Sequence, residues 1–196
     1  MPSKTPTKRT ARMTPVASGT KRRAAIEKRQ RATTLITGGT GFLGAHLVRQ
    51  LIDEGAKNIR VMATSIPDWL VDLGVETFEG SITKAEDVKR AVEGISEIYH
   101  LAGKVSRERK DSREMYDIHV EGTRLLCDAA KAAGTRTIVL ASTSGPIAVT
   151  KDGDVIPDET YPQPLEIISR WPYYASKSYQ EMAALECFNG KGLRLV

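Results

Sequence analysis

Tyr173 and Lys177 stand four residues apart in the run Pro172-Tyr173-Tyr174-Ala175-Ser176-Lys177. On a helix that spacing makes the two side chains neighbours on one face. A free phenol has a pKa near about 10 and is a poor base at neutral pH. A nearby ammonium stabilises phenolate and lowers that value. Such a pair can move a proton at a substrate oxygen while hydride moves at carbon. Tyr174 would need a lysine at position 178, which is Ser178, so Tyr173 is the candidate. Taken alone, a Tyr–Lys pair is more often a plain surface contact, and a second signal has to support it.

That signal lies upstream, in Thr37-Gly38-Gly39-Thr40-Gly41-Phe42-Leu43-Gly44. Gly39, Gly41 and Gly44 fit a dinucleotide fingerprint, and Gly38, Gly41 and Gly44 fit a variant of it. The run follows a β-branched stretch and opens a helical pattern, which is the context that fingerprint needs. Glycines allow a tight turn and close approach of backbone to a pyrophosphate, and a helix N-terminus offers unpaired N–H groups. A purely structural turn is the alternative. An acid about 20 residues past the glycines would bind a ribose 2′-hydroxyl. The stretch Arg60-Val61-Met62-Ala63-Thr64-Ser65 has none, with Ala63 and Thr64 near the expected place. The missing carboxylate leans toward NADP over NAD.

Ser142-Thr143-Ser144 can supply a hydroxyl to a substrate carbonyl, or can simply satisfy a local turn. His100 sits inside the apolar run Ile98-Tyr99-His100-Leu101-Ala102, and His119 sits in a helical stretch. Neither has triad or metal spacing, so structural roles are expected for both.

The elements that must position these residues alternate. Strands are expected at 33–37, 59–63, 75–78, 97–101 and 137–141, with another beginning at 192. Helices are expected at 42–54, 84–93, 112–133 and 172–188. Leu43, Leu47, Leu51 and Ile52 form a stripe on the first helix. Ile118, Gly122, Leu125, Ala129 and Ala133 form one on the third. Residues 149–170 are polar and rich in Pro and Asp, and read as a loop. Alternation of this kind predicts an α/β fold, a doubly wound parallel sheet covered on both faces (a Rossmann fold). In such a sheet ligands sit at the carboxyl ends of the strands.

Charge divides the chain into two regions. Residues 1–32 hold ten Lys/Arg and one acid, leaving 19 basic and 23 acidic residues for 33–196. The first region is rich in Ser, Thr and Pro and is expected to be a disordered basic tail. A solvated leader, a transit peptide, or a contact with nucleic acid or an anionic membrane would each suit it. No apolar run is long enough to span a membrane. Cys127 and Cys187 have no metal-type spacing and read as reduced cytoplasmic thiols.

Over 33–196 these features together resemble the extended short-chain dehydrogenase/reductase family, also described as NAD-dependent epimerases and dehydratases. The resemblance rests on the glycine turn, His100-Leu101-Ala102-Gly103, Val120-Glu121-Gly122-Thr123, the Ser/Thr cluster and Tyr173-x-x-x-Lys177. It implies Tyr173 as catalytic acid/base and Lys177 as the residue that tunes Tyr173 and holds the nicotinamide ribose. Ser144 would match the catalytic serine, with Thr143 beside it as the fallback. Gly38, Gly41, Phe42, Leu43 and Gly44 would line the pyrophosphate, and Leu101, Ala102 and Gly103 would pass under the adenosine. Thr64, Ser81 and Ile82 would flank the adenine end. The family often has Asp where Ser81 stands and Asn where His119 stands. It also continues into a substrate-binding region beyond position 196, so a truncated chain is the expectation.

Family dehydratases place an Asp-Glu pair after the catalytic hydroxyl, and here Gly145-Pro146 follows Ser144. Epimerases show Val-Tyr-Gly, and here the run is Ile147-Ala148-Val149, closer to the dihydroflavonol reductase and 3β-hydroxysteroid dehydrogenase branch. The expected activity is hydride transfer to or from a carbonyl or secondary alcohol, with a nucleotide-sugar epimerase as alternative. A nicotinamide-sensing or inactive binding protein with a nucleic-acid-contacting tail is the reading from another class. A homodimer through the long helix and the Tyr173 helix is a further family expectation.

Overall fold

The computed structural model describes residues 33–147, 149–151, 153–188 and 193–196. The tail reading of 1–32 lies outside them, as do Ala148 and Gly192.

The first strand, β1 (Thr33–Thr37), is β-branched at four of five positions, which suits a pleated, buried surface. Its neighbours Leu35 and Ile36 are both fully buried, in different clusters. Successive side chains of a strand point to opposite faces, so β1 must be central and covered on both sides. The chain continues through α1 (Phe42–Asp53), β2 (Ile59–Ala63), α2 (Asp68–Asp72), β3 (Glu76–Glu79), α3 (Ala85–Ala91) and β4 (Ile95–His100). The remainder is α4 (Ser112–Tyr116), a π turn (Asp117–Glu121), α5 (Gly122–Ala133), β5 (Thr137–Leu140), α6 (Leu165–Ile168), α7 (Pro172–Phe188) and β6 (Arg194–Leu195). The sheet order is β3-β2-β1-β4-β5-β6, and all pairs are parallel. This is the expected doubly wound sheet.

One apolar cluster joins Ile36, Val48, Val61 and Leu70 under α1 and α2. The other joins Leu35, Ile98, Leu126 and Ala184 under α3, α5 and α7. Strand order reverses between β1 and β4, where Thr37 pairs with His100. A crevice opens at such a reversal.

Three local expectations are corrected. The long helix is interrupted by one π turn, and its inward row is Met115, His119, Thr123, Leu126 and Ala130. Of the expected stripe only Gly122 is buried; Ile118, Leu125 and Ala129 flank the core and Ala133 is exposed. A π turn holds more residues than an α turn, so it rotates everything that follows. On α1, Gly44 and Val48 form the buried line, whereas Leu43 is exposed. The segment read as a loop contains α6, whose Ile168 is fully buried.

Candidate functional site

Thr37 ends β1 and hands the chain to the glycine turn. Gly38 takes φ of +72°, and a Cβ there would lie 2.7 Å from the Ala102 nitrogen. A Cβ on Gly44 would lie 2.3 Å from the Gly38 carbonyl oxygen. The turn, α1 and the strand-end segment 101–103 therefore approach more closely than any side chain allows. Gly41 precedes α1 without any side-chain cap, so the first-turn amides of that helix carry no side-chain acceptor. A cleft of about 410 Å³ opens over this floor. Gly38, Gly41, Thr64, Ser81, Ile82, Leu101, Ala102 and Gly103 all line it. Phe42 and Leu43 stand exposed on the first turn of α1, and Gly44 is buried beneath the turn.

This floor fits a dinucleotide. It is a concave backbone surface, closed to a Cβ at Gly38 and Gly44, with a helix N-terminus that favours negative charge. No carboxylate follows β2 at Thr64 or Ser65.

A second cavity, of about 550 Å³, adjoins it. Segment 101–107 forms a wall of both: Leu101 to Lys104 face the first, and Val105, Ser106 and Arg107 the second. Trp171, Tyr173 and Tyr174 form the opposite wall. Tyr173 is thus placed at the second cavity, while Lys177 lines neither. Lys177 is buried on the inner face of α7, where its ammonium donates to the Ala141 carbonyl at 2.6 Å and to Gln180 Oε1. Burial lowers its pKa to about 8. Ser144 is exposed at the bend after β5, and Thr143 Oγ accepts from the Gly145 amide at 3.4 Å. Neither hydroxyl lines either of these two cavities. A Cβ on Gly145 would meet the Tyr174 ring at 2.0 Å, so this bend sits directly on Tyr174. Ser142 donates to Glu181, which also accepts from Gln163 at 2.7 Å and so ties segment 149–170 to α7.

The two histidines expected to be structural lie at the centre of the site. His119, presented by the π turn, accepts the Lys104 amide on Nε2 at 3.1 Å. Nδ1 therefore carries the proton and donates to Ser176 Oγ at 2.8 Å, and Ser176 donates to the Tyr173 carbonyl. The His119 ring meets Tyr173 edge-on at 5.9 Å. His100 bridges Thr37 Oγ (2.7 Å) and Thr123 Oγ (2.9 Å). Burial, then the Lys177 charge, lowers His119 to about 4. The same two causes, with His119 added, lower His100 to about 3. Both rings are neutral at pH 7. Thr37, Thr123 and Ser176 fall inside motifs read from the sequence but were given no role of their own, and Gln180 falls in none. The available signal was polar residues on the inward face of α7, at positions 176, 177 and 180.

Residues 34–196 match the NAD dependent epimerase/dehydratase family. The chain is 34% identical over 168 residues to 3 beta-hydroxysteroid dehydrogenase type 7 of Rattus norvegicus, covering 82% of this chain and 50% of that protein. It is 28% identical over 179 residues to dihydroflavonol 4-reductase of Solanum lycopersicum, covering 79% and 45%. Its fold is similar to that of a short-chain dehydrogenase/reductase superfamily protein from Agrobacterium tumefaciens with bound NAD. That similarity has a TM-score of 0.66 and 27% identity, over 84% of this chain and 47% of that one. The chain spans about half the length of the relatives it matches. The glycine floor at the strand reversal and the match over nearly all of the described residues lead to one assignment: this chain belongs to the NAD dependent epimerase/dehydratase family.

Proposed function

We propose that this chain carries the cofactor site and proton-transfer residues of an NAD(P)-dependent oxidoreductase acting on a carbonyl or secondary alcohol. The observation that carries this reading is the shared wall, segment 101–107, which sets the Tyr173 cavity against the glycine-floored cleft. A nicotinamide dinucleotide, when bound, supplies the hydride donor or acceptor. Gly38, Gly41 and the first turn of α1 hold its phosphates, Leu101, Ala102 and Gly103 support it from below, and Thr64, Ser81 and Ile82 flank its adenine end. Tyr173 moves the proton at the substrate oxygen, Lys177 supplies the neighbouring positive charge, and Ser144, with Thr143 as alternate, orients the carbonyl.

The Tyr173 cavity is walled by Val105, Trp171 and Tyr174. Ser106 and Arg107 line it as well. Reductase chemistry is preferred to epimerisation on the run Ile147-Ala148-Val149 after Ser144, where family epimerases show Val-Tyr-Gly. The absence of an acid at Thr64 and Ser65 supports NADP over NAD. Tyr179, Met182 and Leu185 project from α7 into solvent and support a homodimer through that helix. The free thiols Cys127 and Cys187 suit a cytoplasmic setting, and the basic segment 1–32 is the place for any nucleic-acid contact. Fluorescence titration with NADPH and NADH, on the parent and on Gly41→Asp, tests the cofactor site. Binding by the parent that is lost in Gly41→Asp is expected. Equal binding by both proteins would refute the assignment of the glycine turn.

A further inference from the structure

α7 buries four polar residues on its inward face, Ser176, Lys177, Ser178 and Gln180. Polar side chains at core positions are costly unless their bonds are made. Gln180 is 1% exposed and makes two. Its Nε2 donates to Thr123 Oγ at 2.8 Å, and its Oε1 accepts from the Lys177 ammonium. Thr123 is held in turn by His100, which is held by Thr37, whose hydroxyl also accepts the Ala102 amide at 3.2 Å. A five-residue polar chain therefore runs from Lys177 through the interior to the floor of the cleft.

The orientation of the Gln180 amide follows from this chain. Turned over, its NH2 would face the ammonium and its carbonyl oxygen would face Thr123. A donor against a buried cation is left unpaired and the ammonium keeps only the Ala141 carbonyl, so one orientation suits Lys177.

We propose that Gln180 is a positioning residue for Lys177: its amide carbonyl, oriented by Thr123 and His100, holds the ammonium at the carboxyl end of β5 beside Ala141. The catalytic meaning of this role rests on the oxidoreductase reading above. Gln180 touches neither cavity and acts only through Lys177. The titratable groups around Lys177 are His100 on β4, His119 on the π turn, and Glu181 and Tyr173 on α7. The two imidazoles titrate near 3 and 4. They stay neutral throughout the range in which Lys177, near 8, changes charge.

The test is an NMR pH titration of the lysine side chains labelled at Cε, with the Lys177 signal assigned by its loss in Lys177→Arg. Run in a Tyr173→Phe background, it also removes the phenol one turn before Lys177 on the same helix. Gln180→Leu deletes the acceptor and is expected to lower the Lys177 midpoint by about half a unit or more. Gln180→Glu places a carboxylate at the same point and is expected to raise it by about one unit or more. Opposite shifts from two changes at one site are not what a merely structural role produces. Shifts of the same sign, or a Gln180→Glu midpoint unchanged from the parent, would overturn the proposal. If Gln180→Leu does not fold, Gln180→Glu alone decides. The titration needs no cofactor, so a parent that binds neither dinucleotide would sink the oxidoreductase reading and leave this result standing.

Discussion

The two cavities are built from different materials. The cleft over Gly38 is made largely of backbone: a turn, a helix end and a strand end brought within reach by the absence of Cβ atoms. The Tyr173 corner is made of side chains: Val105, Arg107, Trp171 and Tyr174 line the cavity, and behind it His119 bonds Ser176 while Gln180 bonds Lys177. A backbone site tolerates changes in its outward side chains and fails when atoms are added. A side-chain site tolerates changes in size at its rim and fails when one polar atom is lost, because the buried partner is left unpaired at a cost of about 1–3 kcal/mol.

The largest effect expected from this contrast is at the reactive corner. Tyr173→Phe keeps the ring and removes only the hydroxyl. Turnover with a ketone substrate should fall by about 10²- to 10⁴-fold, the usual size of a general acid–base contribution. NADPH affinity should be unchanged. Steady-state kinetics with a parallel fluorescence titration read both, and a variant with near-normal turnover would remove Tyr173 from the mechanism.

On the cleft side, Gly44→Ala forces a methyl to 2.3 Å from the Gly38 carbonyl oxygen. Overpacking of this kind costs about 1–3 kcal/mol, and the glycine turn must shift. Urea denaturation should show the loss, and dinucleotide affinity should fall by at least about tenfold, or about 1.4 kcal/mol. Retained affinity would mean that the floor is more pliable than its contacts indicate.

Acid should attack the two buried histidines, His119 behind the corner and His100 beneath the cleft. His100 and His119 are held well below the ordinary histidine value of 6.5, at about 3 and about 4. The folded state therefore binds fewer protons than the unfolded state below pH 6.5. Their contribution is complete above that pH and is lost as pH falls toward 4. The slope is about 1.4 kcal/mol per pH unit for each ring that stays neutral. Chemical denaturation at pH 7, 6 and 5 should follow this trend, and His119→Asn should flatten it. An unaltered slope in that variant would contradict a buried neutral ring.

The smallest effect is a change of preference. Thr64→Asp restores a carboxylate where the cleft has none. NADPH should weaken relative to NADH by about tenfold, the size of one repulsive contact near 1.4 kcal/mol. Paired titrations check this, and an unchanged ratio would move the 2′ position of the ribose away from Thr64.

The cleft was more legible in the sequence than the corner. Eight of the residues expected to hold a dinucleotide line one cleft, because the glycine turn is local and its neighbours sit at strand ends that hydrophobic pattern locates. Phe42 and Leu43 are exposed on the first turn of α1 and Gly44 is buried beneath the glycine turn, so these three do not line it. In the corner, the spacing of Tyr173 and Lys177 was legible, yet Lys177 faces inward. The histidines were read as structural, and their partners across the fold carried no signal in the sequence. Gln180 carried no motif at all, and its role depends on Thr123, 57 positions away in the chain.

The sequence by itself determined the alternation of strand and helix, the glycine turn, the tyrosine–lysine spacing and the missing acid after β2. All of these rest on interactions among residues close along the chain: steric freedom at glycine, side-chain periodicity and helical neighbours. Only the tertiary structure decided where the Lys177 ammonium points, which histidine meets which helix, and how one π turn rotates the long helix. Those outcomes depend on buried polar groups finding partners across the fold, and pairings between distant segments leave no periodic trace in sequence.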